Sequence, residues 1–474
     1  MQYETVIGIE IHCELKTKTK MFSSAPVTFG QPANSCTNEI DLGHPGVLPC
    51  LNKKAVELAI RACTATHCTI DPLVKFDRKN YYYSDLPKGF QITQQFHPIG
   101  RNGYVDITVD GEKKQIRLNR IHMEEDTAKQ FHGYQGTSID FNRAGTPLIE
   151  IVSEPDMRNG KEAAAYVEAL RTSLLYMNVS DVKMEEGSMR CDVNVSIRPA
   201  GSDTFGTKTE IKNLNSISNV QKAIDAEVAR QTEVLENGGT IVQATYRFDE
   251  ATRSTVMMRK KEGTVDYKFF PEPNIPPVQL DEKWIASIQE NLPELPSQRY
   301  ERYTTVYGLS DYDANVLINN KEVSDFYDEV MKHTKEGKLV ANWTISELMA
   351  ILNRENTPLS DCKIKPEHLA AMVEMIAKKE ISGKQAKELF PDVVKGEDPK
   401  KLADARGMKQ VSDVSAILAI VNQVLDEQPQ SIIDYKNGKD RAIGFLVGQI
   451  MKKSKGQANP QLANQLVLQE IAKR

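Results

Sequence analysis

Thr5-Val-Ile-Gly-Ile-Glu-Ile-His-Cys-Glu-Leu15 alternates apolar and polar residues as a half-buried β-strand does. Successive side chains of a strand point to opposite faces. Thr5, Ile7, Ile9, Ile11, Cys13 and Leu15 therefore form one apolar face, and Gly8, Glu10, His12 and Glu14 share the other. Working outward, residues 103–111 read as a strand entering an Asp-Gly turn, with residues 113–120 as its hairpin partner. Met189, Cys191, Val193, Val195 and Ile197 alternate against Arg190, Asp192, Asn194, Ser196 and Arg198. Helical periodicity intervenes over residues 53–66, 161–177 and 218–237. Neighbouring alternating strands interrupted by amphipathic helices predict an α+β domain built on an antiparallel sheet.

The chain has 474 residues, too many for one core. Prolines gather at 271, 273, 276 and 277, and Pro293 and Pro296 flank a short helix. Beyond Ser297 strand patterns give way to helical ones, and Gly407 marks a softer break. The expected domains are 1–293, then helical 294–406, then a helical tail, 407–474. At 40% hydrophobic and 26% charged residues the composition is globular. From Gly407 on, nine Lys/Arg stand against six Asp/Glu, +3, which leaves −8 of the net −5 to the preceding body. Such a tail suits a local grip on a polyanion. The start lacks basic residues and Glu10 breaks its apolar stretch, so a signal peptide is not expected and a cytoplasmic location is. Seven cysteines without a C-x-x-C pair predict reduced thiols, with no disulfide or structural zinc.

Four acidic features carry potential chemistry. Glu10 and His12 share a strand face, with Gly8 beside them to admit a ligand to the backbone; taken alone this strand reads first as a plain polar face, with a divalent-cation site as the alternative. His122-Met-Glu-Glu-Asp126 sets three acids in a row, which repel unless cations lie near. Glu150 interrupts the apolar run Leu148–Val152, where an unpaired charge is costly. Arg190, Asp192 and Asn194 share one strand face, and Lys208, Glu210 and Lys212 another. That mixture fits either a cation–phosphate site or exposed cross-strand ion pairs. Residues 75–89 mix bases and aromatics, including Lys79, Lys88 and Tyr81-Tyr-Tyr83. Neither G-x-x-x-x-G-K-[ST] nor G-x-G-x-x-G occurs, so phosphates are not held by a P-loop or dinucleotide turn.

Read together, these motifs resemble the B subunits of bacterial aspartyl/glutamyl-tRNA amidotransferases. The likeness runs nearly end to end. It is carried by Val6-Ile-Gly-Ile-Glu-Ile-His12, Phe76-Asp-Arg-Lys-Asn-Tyr81, His122-Met-Glu-Glu-Asp126, Asn142-Arg-Ala-Gly-Thr-Pro-Leu-Ile-Glu150, Lys183-Met-Glu-Glu-Gly-Ser188 and Tyr267-Lys-Phe-Phe-Pro-Glu-Pro273. Gly444-Phe-Leu-Val-Gly-Gln-Ile-Met451 and Lys455-Gly-Gln-Ala-Asn-Pro460 extend it to the tail. The resemblance implies a glutamine-synthetase-like cradle followed by two helical domains, the last contacting tRNA. It implies ATP-dependent phosphorylation of the side-chain carboxylate of Glu-tRNA(Gln) or Asp-tRNA(Asn). Ammonia would then come from a glutaminase A subunit, with a small C subunit wrapping the pair. It casts Glu10, His12, Glu125 and Glu150 as Mg²⁺ ligands, with Glu125 and Glu150 also catalytic. Arg190, Asp192, Lys208 and Glu210 become ATP-site residues, and Lys79 and Lys88 line the ammonia route or the site mouth.

The chemistry agrees with that equipment. A carboxylate is a poor electrophile, and an acyl phosphate gives it a leaving group. Gathering ATP beside a second anion then calls for metal and Arg/Lys neutralisation. Two rivals remain in view: a non-catalytic RNA-binding subunit with a structural metal, and a two-carboxylate glycosidase. Only two tryptophans and acids clustered with histidine weigh against the second.

Overall fold

The computed structural model describes residues 2–260, 263, 266–408, 414–454 and 458–474. The chain divides into two compact units, one ending at Pro296 and one beginning at Ser297.

The first unit is organised by a nine-stranded sheet. In chain order its strands are β1 (Tyr3–Glu14), β2 (Thr69–Ile70), β3 (Gly100–Val109), β4 (Glu112–Glu125), β5 (Pro147–Ser153), β6 (Met189–Pro199), β7 (Thr209–Leu214), β8 (Ala244–Asp249) and β9 (Ser254–Lys260). Their spatial order is β9-β8-β7-β6-β1-β5-β4-β3-β2, so the N-terminal strand lies at the centre. Every pairing is antiparallel except β7 with β8. That exception has a cause in connectivity: helix α3 (Ile217–Glu236) carries the chain back to the starting edge, as a crossover between parallel strands must. The expected hairpin is present, and Asp110 and Gly111 turn it with φ of 51° and 87°, as a two-residue primed turn requires.

One sheet face is dry. Ile7, Ile9, Ile11 and Cys13 are at most 1% exposed, and so are Ile121, Met123, Ile149, Ile151, Cys191 and Val193. Helices α1 (Lys53–Ala65), α2 (Gly160–Tyr176) and α3 pack against strands of this sheet. Each starts at a side chain that accepts a backbone N–H of its first turn: Asn52, Asn159 and Ser216. The helices thus screen the apolar face, and the alternate residues are left for the site.

β4 departs from simple alternation. Ile116 and Leu118 are buried, then Ile121 and Met123, so the apolar series skips one residue between 118 and 121. At that point the pairing with β5 shifts register, from Val152 opposite Arg120 to Ser153 opposite Leu118. This bulge fixes which acids of β4 face the ligand side.

A small three-stranded sheet pairs Asp77–Asn80 with Phe90–Thr93 and Phe270–Pro271. It is tied by Arg78, whose Nε and Nη2 donate to the Glu272 carboxylate at 2.6 and 3.1 Å. Among the described residues the second unit contains only helices. Residues 414–471 gather a core of their own around Ile417, Val421, Leu425, Leu446, Ile450 and Val467. No helix among the described residues is long and apolar enough to cross a membrane.

Candidate active site

The polar face of β1 meets its neighbours in rows. One row runs Arg190–His12–Glu150–His122, and the next runs Asp192–Glu10–Val152–Arg120. Alternation on four adjacent strands therefore converges acids and imidazoles that lie far apart in sequence.

Three donor groups draw closest. His12 Nε2 lies 3.4 Å from Glu124 Oε1 and 3.5 Å from Glu150 Oε2. One donor atom from each of His12, Glu124 and Glu150 falls within 4.8 Å of the other two. His122 backs them, with Nε2 at 3.1 Å from Glu150 Oε2 and 3.6 Å from Glu124 Oε2. Its buried Nδ1 has no partner among the described residues. Burial alone would drive both imidazoles neutral. Glu150 and Glu124 overcome it, raising the His12 pKa and pushing His122 up to about 9. The converse holds for Glu150: burial favours its neutral form, yet the two imidazoles hold it well below the usual carboxylate range. Two carboxylate oxygens and one imidazole nitrogen, gathered this tightly, form a fitting donor set for a hard divalent cation that completes its shell with water and substrate oxygens.

The expected ligands divide. His12 and Glu150 are brought together, and Glu10 and Glu125 lie outside the three-donor cluster. Glu125 follows Glu124 and so points across the pleat. There its Oε1 accepts from Lys88 Nζ at 2.5 Å and from the Ile92 N–H at 3.1 Å. Glu10 sits one row along and accepts from Asn194 Nδ2 at 3.1 Å. Burial raises its pKa, and the charges of Glu150, Asp192 and Glu210 add to the rise. Sequence reasoning placed Glu124 and His122 in an acidic motif but assigned neither to the metal. The signal that finds them is the skipped residue in the apolar series of β4.

Around the cluster lies a cavity of about 450 Å³, lined among others by His12, Glu124, Arg190, Asp192, Lys79 and Tyr81. Arg190 Nη2 donates to Asp126 at 2.9 Å. Lys212 Nζ donates to Asp192 at 2.6 Å and lies 3.3 Å from Glu210 Oε1. Burial works against the charge on Lys212, but Asp192 and Glu210 outweigh it and raise the pKa. A second cavity, about 300 Å³, opens on the same strands and is lined by Gly8, Glu10, Asn194, Phe205 and Lys208. A Cβ added at Gly8 would make ordinary van der Waals contact with Pro155 Cα at 3.9 Å and the Ser153 carbonyl oxygen at 4.0 Å. Lys79 and Lys88 part company. Lys79 lines the main cavity, and Lys88 lines another of about 180 Å³ with Arg78 and Glu272.

Residues 5–286 match the family model described as the GatB/GatE catalytic domain, and residues 325–471 match the one described as the GatB domain. The B subunit of the aspartyl/glutamyl-tRNA(Asn/Gln) amidotransferase of Geobacillus kaustophilus (strain HTA426) is 53% identical over 476 residues, covering all of both chains. Proteins of the same description from Bacillus velezensis and from Staphylococcus aureus (strain JH9) are each 52% identical, again over the full length of both chains.

Proposed function

The chain belongs to the GatB/GatE family, and on that premise we propose that it is the B subunit of an aspartyl/glutamyl-tRNA(Asn/Gln) amidotransferase. The reaction is ATP-dependent amidation of the side-chain carboxylate of Glu-tRNA(Gln), Asp-tRNA(Asn) or both. A carboxylate oxygen attacks the γ-phosphorus of ATP, releasing ADP and leaving an acyl phosphate. Ammonia then adds to the carbonyl carbon, and inorganic phosphate departs with that oxygen.

The observation that carries the reading is the His12–Glu124–Glu150 cluster opening on a cavity that basic residues also line. We assign Mg²⁺ to these three groups, with His122 orienting Glu150. When bound, the metal neutralises phosphate charge as it gathers beside the second anion. Glu10 and Asp192 in the next row, with Glu210 one row further opposite Asn194, suit a cation travelling with the nucleotide. Lys208, which lines the second cavity with Gly8, suits its phosphates, and Arg190 suits the acyl phosphate. Lys79 and Lys88 are kept as candidates for the ammonia route.

The ammonia is proposed to come from a glutaminase A subunit, with a small C subunit completing a heterotrimer. Two thiols on the central strands support that division: burial pushes Cys13 up to about 12 and raises Cys191 as well, which makes both poor nucleophiles at neutral pH. A charged-tRNA substrate supports a cytoplasmic location. The helical tail from Gly407 is proposed as the tRNA grip. The test is amidation by the reconstituted complex, given Glu-tRNA(Gln) or Asp-tRNA(Asn), glutamine and Mg²⁺. Amide should form on at least one RNA only when ATP is present. Amidation without ATP, or ATP and glutamine consumed with neither RNA amidated, would overturn the reading.

A further inference from the structure

Two loops rise beside the main cavity, and both present aromatic rings to solvent. The first follows the strand Asp77–Asn80. Its Tyr81 lines the cavity, but Tyr82 is 101% exposed. The second is the hairpin pairing Lys129–Gly133 with Gly136–Asp140, which leaves the cavity wall at Thr127. Phe131 is 49% exposed on one of its strands, and Tyr134, in its turn, is 109% exposed. Rings this open add nothing to the core, and each offers ~150–250 Å² for burial against a partner.

The loops are fastened to one another at their bases. The Ala128 N–H donates to the Asp85 carbonyl at 3.0 Å, and Gln130 Nε2 donates to Ser84 Oγ at 2.7 Å. Arg143 donates from Nε and Nη2 to the carbonyls of Thr127 and Ala128 at 3.0 and 3.1 Å. Beyond that anchor, five-residue strands carry the turn ~15 Å outward. Cations accompany the rings. Lys129 Nζ lies 4.9 Å from the Phe131 ring centre, and Lys79 Nζ lies 5.8 Å from that of Tyr81. Between the rings the chain is polar, with Ser84, Gln130, His132 and Gln135, so no continuous aliphatic patch invites another protein.

Spaced aromatic faces beside ammonium groups are what an unpaired nucleic-acid strand requires: bases stack whatever their identity, and phosphates meet the cations. We infer that the 81–85 loop and the 129–140 hairpin form a stacking clamp for the unpaired 3′ end of the charged RNA. The clamp delivers the esterified amino acid to the cavity over His12 and Glu124. The inference rests on the proposed function, since it takes charged RNA to be the substrate.

The test uses the complete heteromeric complex, wild type and Tyr82→Ala/Phe131→Ala/Tyr134→Ala. Uncharged tRNA is bound either intact or with its unpaired 3′ nucleotides removed. Losing stacked bases should weaken binding to wild type at least about tenfold. The triple variant should bind both RNAs equally, at the wild type's affinity for the shortened one, and Tyr134→Trp should retain the discrimination. A variant that still discriminates as wild type does, or a wild type indifferent to the missing nucleotides, overturns the clamp. Loss of partner subunits on purification of the variant would also overturn it, by giving the rings to a protein interface. Binding is read without ATP, so failure of the clamp is distinguishable from failure of amidation, which is assayed on the same wild-type preparation.

Discussion

Glu124 and Glu125 are neighbours of identical chemistry on opposite sides of a pleat, and exchanging each for glutamine separates their roles. Glu124→Gln keeps shape and removes one negative charge from a group 3% exposed whose Oε1 lies 3.4 Å from His12 Nε2. The donor atoms of the cluster lie within 4.8 Å of one another. At ~4 Å a carboxylate is worth ~4 kcal/mol against a unit positive charge at an effective dielectric of ~20, and about twice that against a divalent ion. The amide oxygen and a water recover much of it, but loss of even an outer partner of a metal ligand costs ~10–100-fold in affinity. Glu124→Gln should therefore weaken Mg²⁺ at least about 100-fold. Glu125→Gln breaks the ion pair to Lys88 and keeps an acceptor for the Ile92 N–H. It should cost roughly 1–3 kcal/mol of stability and leave metal affinity within about threefold. Calorimetric titration of the complex with Mg²⁺, with Mn²⁺ as a paramagnetic probe, reads the first effect. Urea melts read the second. Wild-type metal affinity in Glu124→Gln, or an equal loss in Glu125→Gln, would refute the assignment.

Glu227 binds α3 to the sheet, accepting from Thr209, Arg230, Gln231 and Thr255 at 2.6–2.9 Å. Burial alone would raise its pKa, but these donors hold it below the ordinary 4.5. A depressed carboxylate stabilises the fold fully above its unfolded value, and that contribution fades as pH falls below 4.5. Urea midpoints should drop on going from pH 7 to pH 4. In Glu227→Gln the unfolding free energy at pH 7 should be lower by roughly 3–5 kcal/mol and the midpoint should drop less with pH; an equal drop would show that Glu227 is not the sensor. In the tail, Lys439 and Lys453 are already paired with Asp434 and Glu427, and Lys455 lies outside the described residues. Neutralising Lys436, Arg441 and Lys452 together should flatten the log–log salt dependence of tRNA binding by about two to three units and leave Mg²⁺ affinity unchanged. An unaltered slope would remove the tail from RNA binding.

How far the sequence could be read depends on the range of the interactions involved. Thr5 to Leu15 declares its strand and its two faces because alternation is local, and Glu150 is conspicuous because a charge inside an apolar run needs a partner. Glu124 is a different case. Extending the alternation of Ile116 and Leu118 along β4 turns Glu124 toward the apolar side and Glu125 toward the ligand side. The register shift against β5 near Asn119 reverses that parity, and it arises from a pairing with residues some 30 positions away. The parallel β7–β8 pair was hidden for a related reason. Strand direction there follows from the α3 crossover, and no pattern within either strand records it. Lys79 and Lys88, nine residues apart and alike on paper, are parted by the turn between Asp77–Asn80 and Phe90–Thr93, which sets them in separate cavities.

Activation of a side-chain carboxylate by phosphoryl transfer would be recorded in the oxygen atoms. Glu-tRNA(Gln) or Asp-tRNA(Asn) labelled with ¹⁸O in the side-chain carboxylate is turned over by the complex with unlabelled ATP and glutamine in unlabelled water, and the inorganic phosphate is weighed by mass spectrometry. Formation and aminolysis of an acyl phosphate predict one ¹⁸O in the phosphate for every amide formed. Amide produced with phosphate free of ¹⁸O would contradict the account.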